Sequence, residues 1–255
     1  MEIAIITGAS SGLGREFVFL LDREHLDEIW VIARRTRLLQ ELQAKTKTPL
    51  RLLSLDLIQR ASLEELQQLL QREKPTVRYL INAAGFGKIG NYAEIPLTAL
   101  LDMIDLNGRA AIAITQISIP YMTAGSHILE ICSVAAFQPI PFFNVYAASK
   151  AMLYRYSRAL AVELLPQKIY VTAVCPYWIK DTEFISIAQQ TQSSAYFRHF
   201  PFAAKEADIA GRAWQAAKKK QTVVTPTFFA WLERCTAKIL PHSLMMRLST
   251  LFCRL

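Results

Sequence analysis

A chain of 255 residues, 52% hydrophobic and 20% charged, has the composition of a globular protein with a sizeable core, which excludes disorder. Its formal net charge of +8 favours anionic partners, but the basic residues are scattered and carry no recognition motif, which argues against nucleic acid. The four cysteines form no C-x-x-C pair and no zinc-like group with the four histidines, so no metal site is expected and the thiols read as reduced, intracellular ones.

In chain order, the apolar run at 3–6 reads as a parallel strand covered on both faces, and not as the core of a secretion signal. It enters Thr7-Gly8-Ala9-Ser10-Ser11-Gly12-Leu13-Gly14 and then a helix over about 15–21. Glycines at that junction let the chain turn tightly and let a phosphate approach the N–H groups that open the helix. A second strand at 29–33 ends in Arg34 and Arg35, with no carboxylate to take a ribose hydroxyl. Two guanidiniums there suit a 2′-phosphate, although a solvated basic helix start would look the same.

A helix over 38–44 leads to a third strand, 50–55, ending at Asp56. Leucines at 63, 66, 69 and 70 mark an amphipathic helix, and 77–81 is a fourth strand ending in Asn82-Ala83-Ala84-Gly85. A long helix from 96 to about 121 is interrupted by Asn107-Gly108, which predicts a kink or a side chain with another task. Further strands are expected at 126–131, running into Cys132-Ser133, at 169–174 and at 222–224. Between 177 and 200 no period is apparent, and a structureless, aromatic-rich segment of that length suggests a binding lid; helix returns over 204–220. Strands and helices alternating in this way predict a doubly wound parallel α/β sheet of about seven strands in one domain.

The helix after Pro139 and Pro141 carries Tyr146-Ala147-Ala148-Ser149-Lys150. Spacing of four places the phenol and the ammonium on one face, where a cation favours the phenolate. Alone, the pair fits a packed tyrosine beside a solvated lysine equally well. With Thr7-Gly8-x-x-x-Gly12-x-Gly14, the Asn82–Gly85 motif, Asn107, Ser133 and a Pro176…Thr182 segment in this order, the chain resembles the short-chain dehydrogenase/reductase family over about 1–225.

That resemblance implies a Rossmann-type fold and hydride transfer with Tyr146 as general acid or base. Lys150 would lower the tyrosine's pKa and bind the nicotinamide ribose, Ser133 would hydrogen-bond the substrate oxygen, and Asn107 would hold a water linking Lys150 to solvent. Gly8, Gly12 and Gly14 would lie under the pyrophosphate with Ser10 and Leu13 beside it. Asp56 would meet the adenine, Asn82, Ala83 and Gly85 the neighbouring loop, and Thr182 the carboxamide. NADP(H) is the preferred cofactor on the strength of Arg34 and Arg35, with NAD(H) open, because Ser11 stands where many NADP-using members carry a base. Tyr177-Trp178 replaces the family's usual glycine after Pro176 and leaves the role of Thr182 open.

The aromatic lid within 177–203 (Tyr177, Trp178, Phe184, Tyr196, Phe197, Phe200, Phe202) predicts an apolar substrate. The expected activity is interconversion of a carbonyl and a secondary alcohol on a lipophilic molecule, with a 3-oxoacyl thioester reductase as the alternative. A non-catalytic dinucleotide sensor would be expected to lack Tyr146 or Lys150. Residues 226–255 read as an amphipathic, basic helical extension: Phe228, Leu232, Cys235 and Ile239, then Leu244, Leu248, Leu251, Phe252 and Leu255, recur at helical spacing among Arg234, Lys238, Arg247 and Arg254. It would roof the pocket, make a subunit contact or lie on a lipid surface. A cytoplasmic homo-oligomer, dimer or tetramer, able to associate peripherally with a membrane, is the expectation.

Overall fold

Strand β1 (Glu2–Thr7) alternates its apolar residues between two cores, and this explains why its sequence run is continuously hydrophobic. The computed structural model describes residues 1–191, 197, 200 and 202–254, with only the backbone of 251–254. β1 is followed by α1 (Gly12–Leu21), β2 (Glu28–Ile32), α2 (Thr36–Gln43), β3 (Leu50–Leu53), α3 (Arg60–Glu73) and β4 (Thr76–Asn82). Then come α4 (Leu97–Ile104), a π-helical stretch at Asp105–Ala110, α5 (Ala111–Ser118), β5 (His127–Ile131), α6 (Asn144–Glu163) and β6 (Tyr170–Val174). The remaining elements are β7 (Ile179–Lys180), α7 (Glu183–Gln189), β8 (Ala204–Lys205), α8 (Glu206–Lys218), β9 (Val223–Val224), α9 (Phe228–Ile239) and α10 (His242–Arg254).

Seven strands form one parallel sheet in the order β3-β2-β1-β4-β5-β6-β9. On one face Ala4, Ile6, Ile29 and Val31 pack against Phe17 and Val18 of α1 and Ile209, Ala213 and Trp214 of α8. On the other, Ile3, Ile5, Trp30 and Ile32 meet Leu63, Leu66 and Leu70 of α3, Ile114 of α5 and Leu160 of α6. Connections leave β1 towards β2 on one side while β4 lies on the other. The carboxyl ends of β1 and β4 therefore border the crevice where open α/β sheets bind ligands.

Three expectations are corrected. β3 stops at Leu53, because Leu55 turns back to bond the Leu53 carbonyl and drops its side chain into the core with Leu57. The segment 177–200 is not structureless: it holds β7, paired in parallel with β8, and the seven-residue α7, two turns that are too short to register a period. Ala204 and Lys205 belong to β8, so the helix expected from 204 begins at Glu206. The anticipated interruption at Asn107 is the π-helical stretch, whose wider turn re-aims one side chain without breaking the helix. Among the described residues no helix is long and apolar enough to cross a membrane.

Candidate active site

The loop leaving β1 is shaped by contacts that only glycine permits. Gly8 has φ +67°, and a Cβ there would lie 2.8 Å from the Ala84 nitrogen. Thr7 Oγ1 accepts from the N–H groups of Ala83 (3.1 Å) and Ala84 (3.0 Å), tying the ends of β1 and β4 together. Gly12 has φ +56° at the start of α1, and a built Cβ there would lie at ordinary contact distance, 3.7 Å from Thr182 Cγ2 and 4.0 Å from Glu206 Oε2. Gly14 differs: a Cβ there would overlap the Gly8 carbonyl, so its bareness lets α1 pack on the loop. A cavity of about 700 Å³ begins at this loop. Gly8, Ser10, Gly12, Leu13, Arg34, Arg35, Asp56, Ala83, Gly85 and Thr182 line it, whereas Gly14, Asn82 and Asn107 stand behind its wall.

Arg34 and Arg35 are both exposed at the cavity rim beyond β2. Arg35 Nη2 donates to Ser11 Oγ (2.8 Å) and Ser10 Oγ (3.2 Å), and its Nη1 meets the Glu183 carboxylate at 2.8 Å. One guanidinium thus bridges the glycine loop and the first turn of α7. Asp56 is partly buried, and its Oδ1 accepts from the Ile58 N–H at 3.3 Å.

Further along the same cavity, α6 brings up Tyr146 and Lys150, both buried, opposite Ser133 at the end of β5. Burial pushes the Tyr146 phenol well above its ordinary pKa; the hydrogen bond with Ser133 pulls it back, and the Cys132 and Cys175 thiols push it further up. Ser133 Oγ also accepts from the Ala135 N–H at 3.2 Å. Lys150 Nζ donates to the Ile131 carbonyl at 2.6 Å and lies 5.9 Å from the Tyr146 ring centre. Burial lowers the lysine's pKa, while Cys132, Glu130 and Cys175 raise it.

The Asn107 side chain makes three hydrogen bonds to protein. Its Oδ1 accepts from the Phe86 N–H (3.0 Å), and its Nδ2 donates to the Phe86 carbonyl (2.9 Å) and to Ser149 Oγ (3.1 Å). Asn107 thus clamps the loop after β4 to α6 through its side chain. A Cβ on Gly85 would come within 2.8 Å of Asn107 Oδ1 and 3.4 Å of Lys150 Nζ, so glycine is what allows this closure. Asn82 is likewise buried, donating to Thr115 Oγ1 (2.8 Å) and Glu130 Oε1 (3.0 Å).

Aromatic rings enclose the phenol. Phe143 stacks on Tyr146 at 4.2 Å between centres, Phe184 lies at 5.5 Å, and Trp178 joins Phe143 at 5.9 Å and Phe200 at 4.6 Å. Tyr177 instead faces the C-terminal helices, 6.5 Å from Phe229, which stacks at 3.8 Å on Phe202. Helices α9 and α10 and the turn between them roof the cavity through Phe229, Leu232, Leu240, Met245 and Leu248. Of the expected lid, Tyr196 lies outside the described residues, as do the side chains of Leu251, Phe252, Arg254 and Leu255 in the tail.

A glycine loop, a buried tyrosine–lysine pair and a serine around one cavity are the parts the resemblance called for. The family profile described as short chain dehydrogenase matches residues 2–193. The chain belongs to the short-chain dehydrogenase family. A very-long-chain 3-oxoacyl-CoA reductase of Pyrenophora tritici-repentis is 32% identical over 183 residues, 67% of this chain and 53% of the relative. Among solved structures, a short-chain dehydrogenase from Sphingobium yanoikuyae in complex with NADPH superposes with TM-score 0.78 at 24% identity, covering 96% of this chain and 95% of the other. A bulky-bulky ketone specific alcohol dehydrogenase from Comamonas testosteroni gives TM-score 0.73 at 25% identity, covering 96% and 94%. Structures of this fold hold NADPH in the first case and NADH in another.

Membership makes this dehydrogenase an oxidoreductase of alcohols and ketones. Sequence reasoning missed several residues of its site. Phe143 was recoverable, since it lies one helical turn before Tyr146. Glu183 as the partner of Arg35, and Gln138 and Glu233 in the cavity wall, depend on contacts between distant elements and left no local signal.

Proposed function

We propose that this dehydrogenase uses NADP(H) to interconvert a ketone and a secondary alcohol on a lipophilic substrate, with residues 1–225 as catalytic domain and 226–255 as its helical extension. The carrying observation is that Tyr146, Ser133 and Lys150 share one aromatic-walled cavity with the glycine loop of α1. The dinucleotide fits this cradle: the glycine loop lines the cavity ahead of the N–H groups that open α1, and Arg34 and Arg35 stand at its rim, where they would hold a 2′-phosphate. Gly8, Ser10 and Leu13 complete the loop, Asp56, Ala83 and Gly85 flank the adenosine side, and Thr182 caps the nicotinamide end.

When bound, the reduced nicotinamide supplies a hydride to the carbonyl carbon. Tyr146 passes its phenolic proton to the carbonyl oxygen, and the Ser133 hydroxyl stabilises the charge that develops there. Lys150 holds the ribose and favours the phenolate left behind, while Asn107 keeps the 85–86 loop and α6 in register. A 3-oxoacyl thioester is the second reading, favoured by the activity named for the 32% identical relative. The expected dimer or tetramer rests on the family resemblance alone.

NADPH consumption over apolar ketones, ketosteroids and 3-oxoacyl thioesters tests the reading. At least one apolar ketone should be reduced. Tyr146→Phe should lower that turnover by about 10²- to 10⁴-fold while NADPH affinity stays within about twofold. Undiminished turnover in this variant refutes the acid/base assignment.

A further inference from the structure

Beyond Tyr146 the cavity runs under α9 and α10, where Phe229, Leu232, Leu240, Met245 and Leu248 form an apolar roof. Polar side chains in that wall are mostly satisfied by their own helix. Thr236 Oγ1 donates to the Leu232 and Glu233 carbonyls, and Ser249 Oγ to the Met246 carbonyl.

Gln138 and Glu233 are different. Gln138, in the loop between Ser133 and α6, is only 8% exposed, and its Nε2 donates to Glu233 Oε1 at 3.2 Å. Its Oε1 is buried with no hydrogen-bond partner among the described residues. Glu233 lines the cavity with no cationic partner among those residues, and burial raises its carboxyl to a pKa of about 7, with the Gln138 hydrogen bond opposing. The fold gains little from this pair, since a buried acceptor without a donor is destabilising and an aliphatic side chain would suit the roof better. Glu233 offers its carboxyl group to the cavity, and Gln138, whose Oε1 is shut away from it, holds that carboxyl in place.

We propose that Glu233, held by Gln138, binds a hydrogen-bond-donating group, a hydroxyl or an amine, at the end of the substrate remote from its carbonyl. This narrows the substrate class of the proposed reaction, and it rests on that reading for the identity of the reacting end. The preferred molecule is an elongated apolar ketone that is hydroxylated or aminated at its far end. Above pH 7, where Glu233 is ionised, a carboxylate there would be repelled and rejected.

The test compares a plain alkyl methyl ketone with its ω-hydroxy, ω-amino and ω-carboxy analogues of equal length. Dissociation constants are read by calorimetry on the full chain, alone and with NADP⁺, and kcat/KM by NADPH oxidation. The hydroxy and amino ketones should bind about tenfold more tightly than the plain ketone, and the carboxy analogue more weakly than any. Gln138→Leu and Glu233→Leu should collapse these ratios toward one. Should a variant fail to fold, the wild-type series alone decides. Equal dissociation constants across the series overturn the proposal even where every ketone is reduced. A preserved preference in binding with no NADPH oxidation by any ketone sinks the proposed reaction and leaves the donor site standing.

Discussion

Glu130 is the buried charge on which the site's foundations turn. It sits in β5, wholly enclosed, one residue before the carbonyl that receives Lys150. Thr115 Oγ1 donates to its Oε1 at 2.6 Å and Asn82 Nδ2 at 3.0 Å, yet burial outweighs both bonds and lifts its pKa to about 7. In the unfolded chain the carboxyl ionises near 4.5, so between those values the folded state carries a proton that the unfolded state has lost. The stability it contributes is complete below pH 4.5 and is lost as pH rises to 7, a fall of about 3 kcal/mol. Glu130→Gln keeps the shape and cannot ionise. Urea unfolding at pH 5 and pH 7.5 should therefore show a smaller loss for the variant than for the wild-type chain; Glu233 titrates with the same sign in both and cancels. Identical losses would refute the assignment. At this scale the sequence disclosed Tyr146 and Lys150, because four-residue spacing is a local property of a helix. It could not disclose that Glu130 and Glu233 are acids kept near neutrality, since their surroundings are assembled from strands and helices far apart in the chain.

Element by element, the order of strands and helices was legible from apolar runs and glycine turns, and α7 was not, being too short to show a period. That helix carries the site's least anticipated interaction, for its Glu183 holds the Arg35 guanidinium, which the proposed reading gives to a 2′-phosphate. On the proposed reading a 2′-phosphate would compete with Glu183 for Arg35, so NADPH would loosen α7 from the glycine loop whereas NADH would not. Replacing Arg34 and Arg35 together by alanine should weaken NADPH by about 10- to 100-fold and NADH far less. Glu183→Gln should act in the opposite sense, tightening NADPH by about two- to fivefold, as suits an exposed pair. Fluorescence titration of both nucleotides decides the matter, and equal changes for the two would remove Arg35 from the phosphate site. The π-helical stretch teaches a related lesson. Asn107-Gly108 announced a break, but only the fold reveals that the widened turn aims the amide at Phe86 and Ser149.

For the whole molecule, the open question is what covers the C-terminal helices. Helical spacing in 226–255 showed that both pieces are amphipathic, but not which apolar residues would turn inward. Phe229, Leu240 and Met245 face the cavity, which leaves Phe228 (65% exposed), Trp231 (51%) and Ile239 (80%) outside. Arg234, Lys238 and Arg247 lie in the same two helices, and the chain carries a net +8. Aromatic and aliphatic side chains interleaved with cations suit an anionic lipid surface better than a second copy of this equally basic chain. The roof of an apolar pocket would then rest on the phase in which an apolar substrate dissolves. Full-length protein should float with phosphatidylserine vesicles, float less with phosphatidylcholine, and be released as salt screens the cations. Phe228→Ser, Trp231→Ser and Ile239→Ser combined should leave it in the soluble fraction, while the roof residues and the folded core stay intact. Recovery of the wild-type chain in the soluble fraction with both lipids would show that this face meets something other than a membrane.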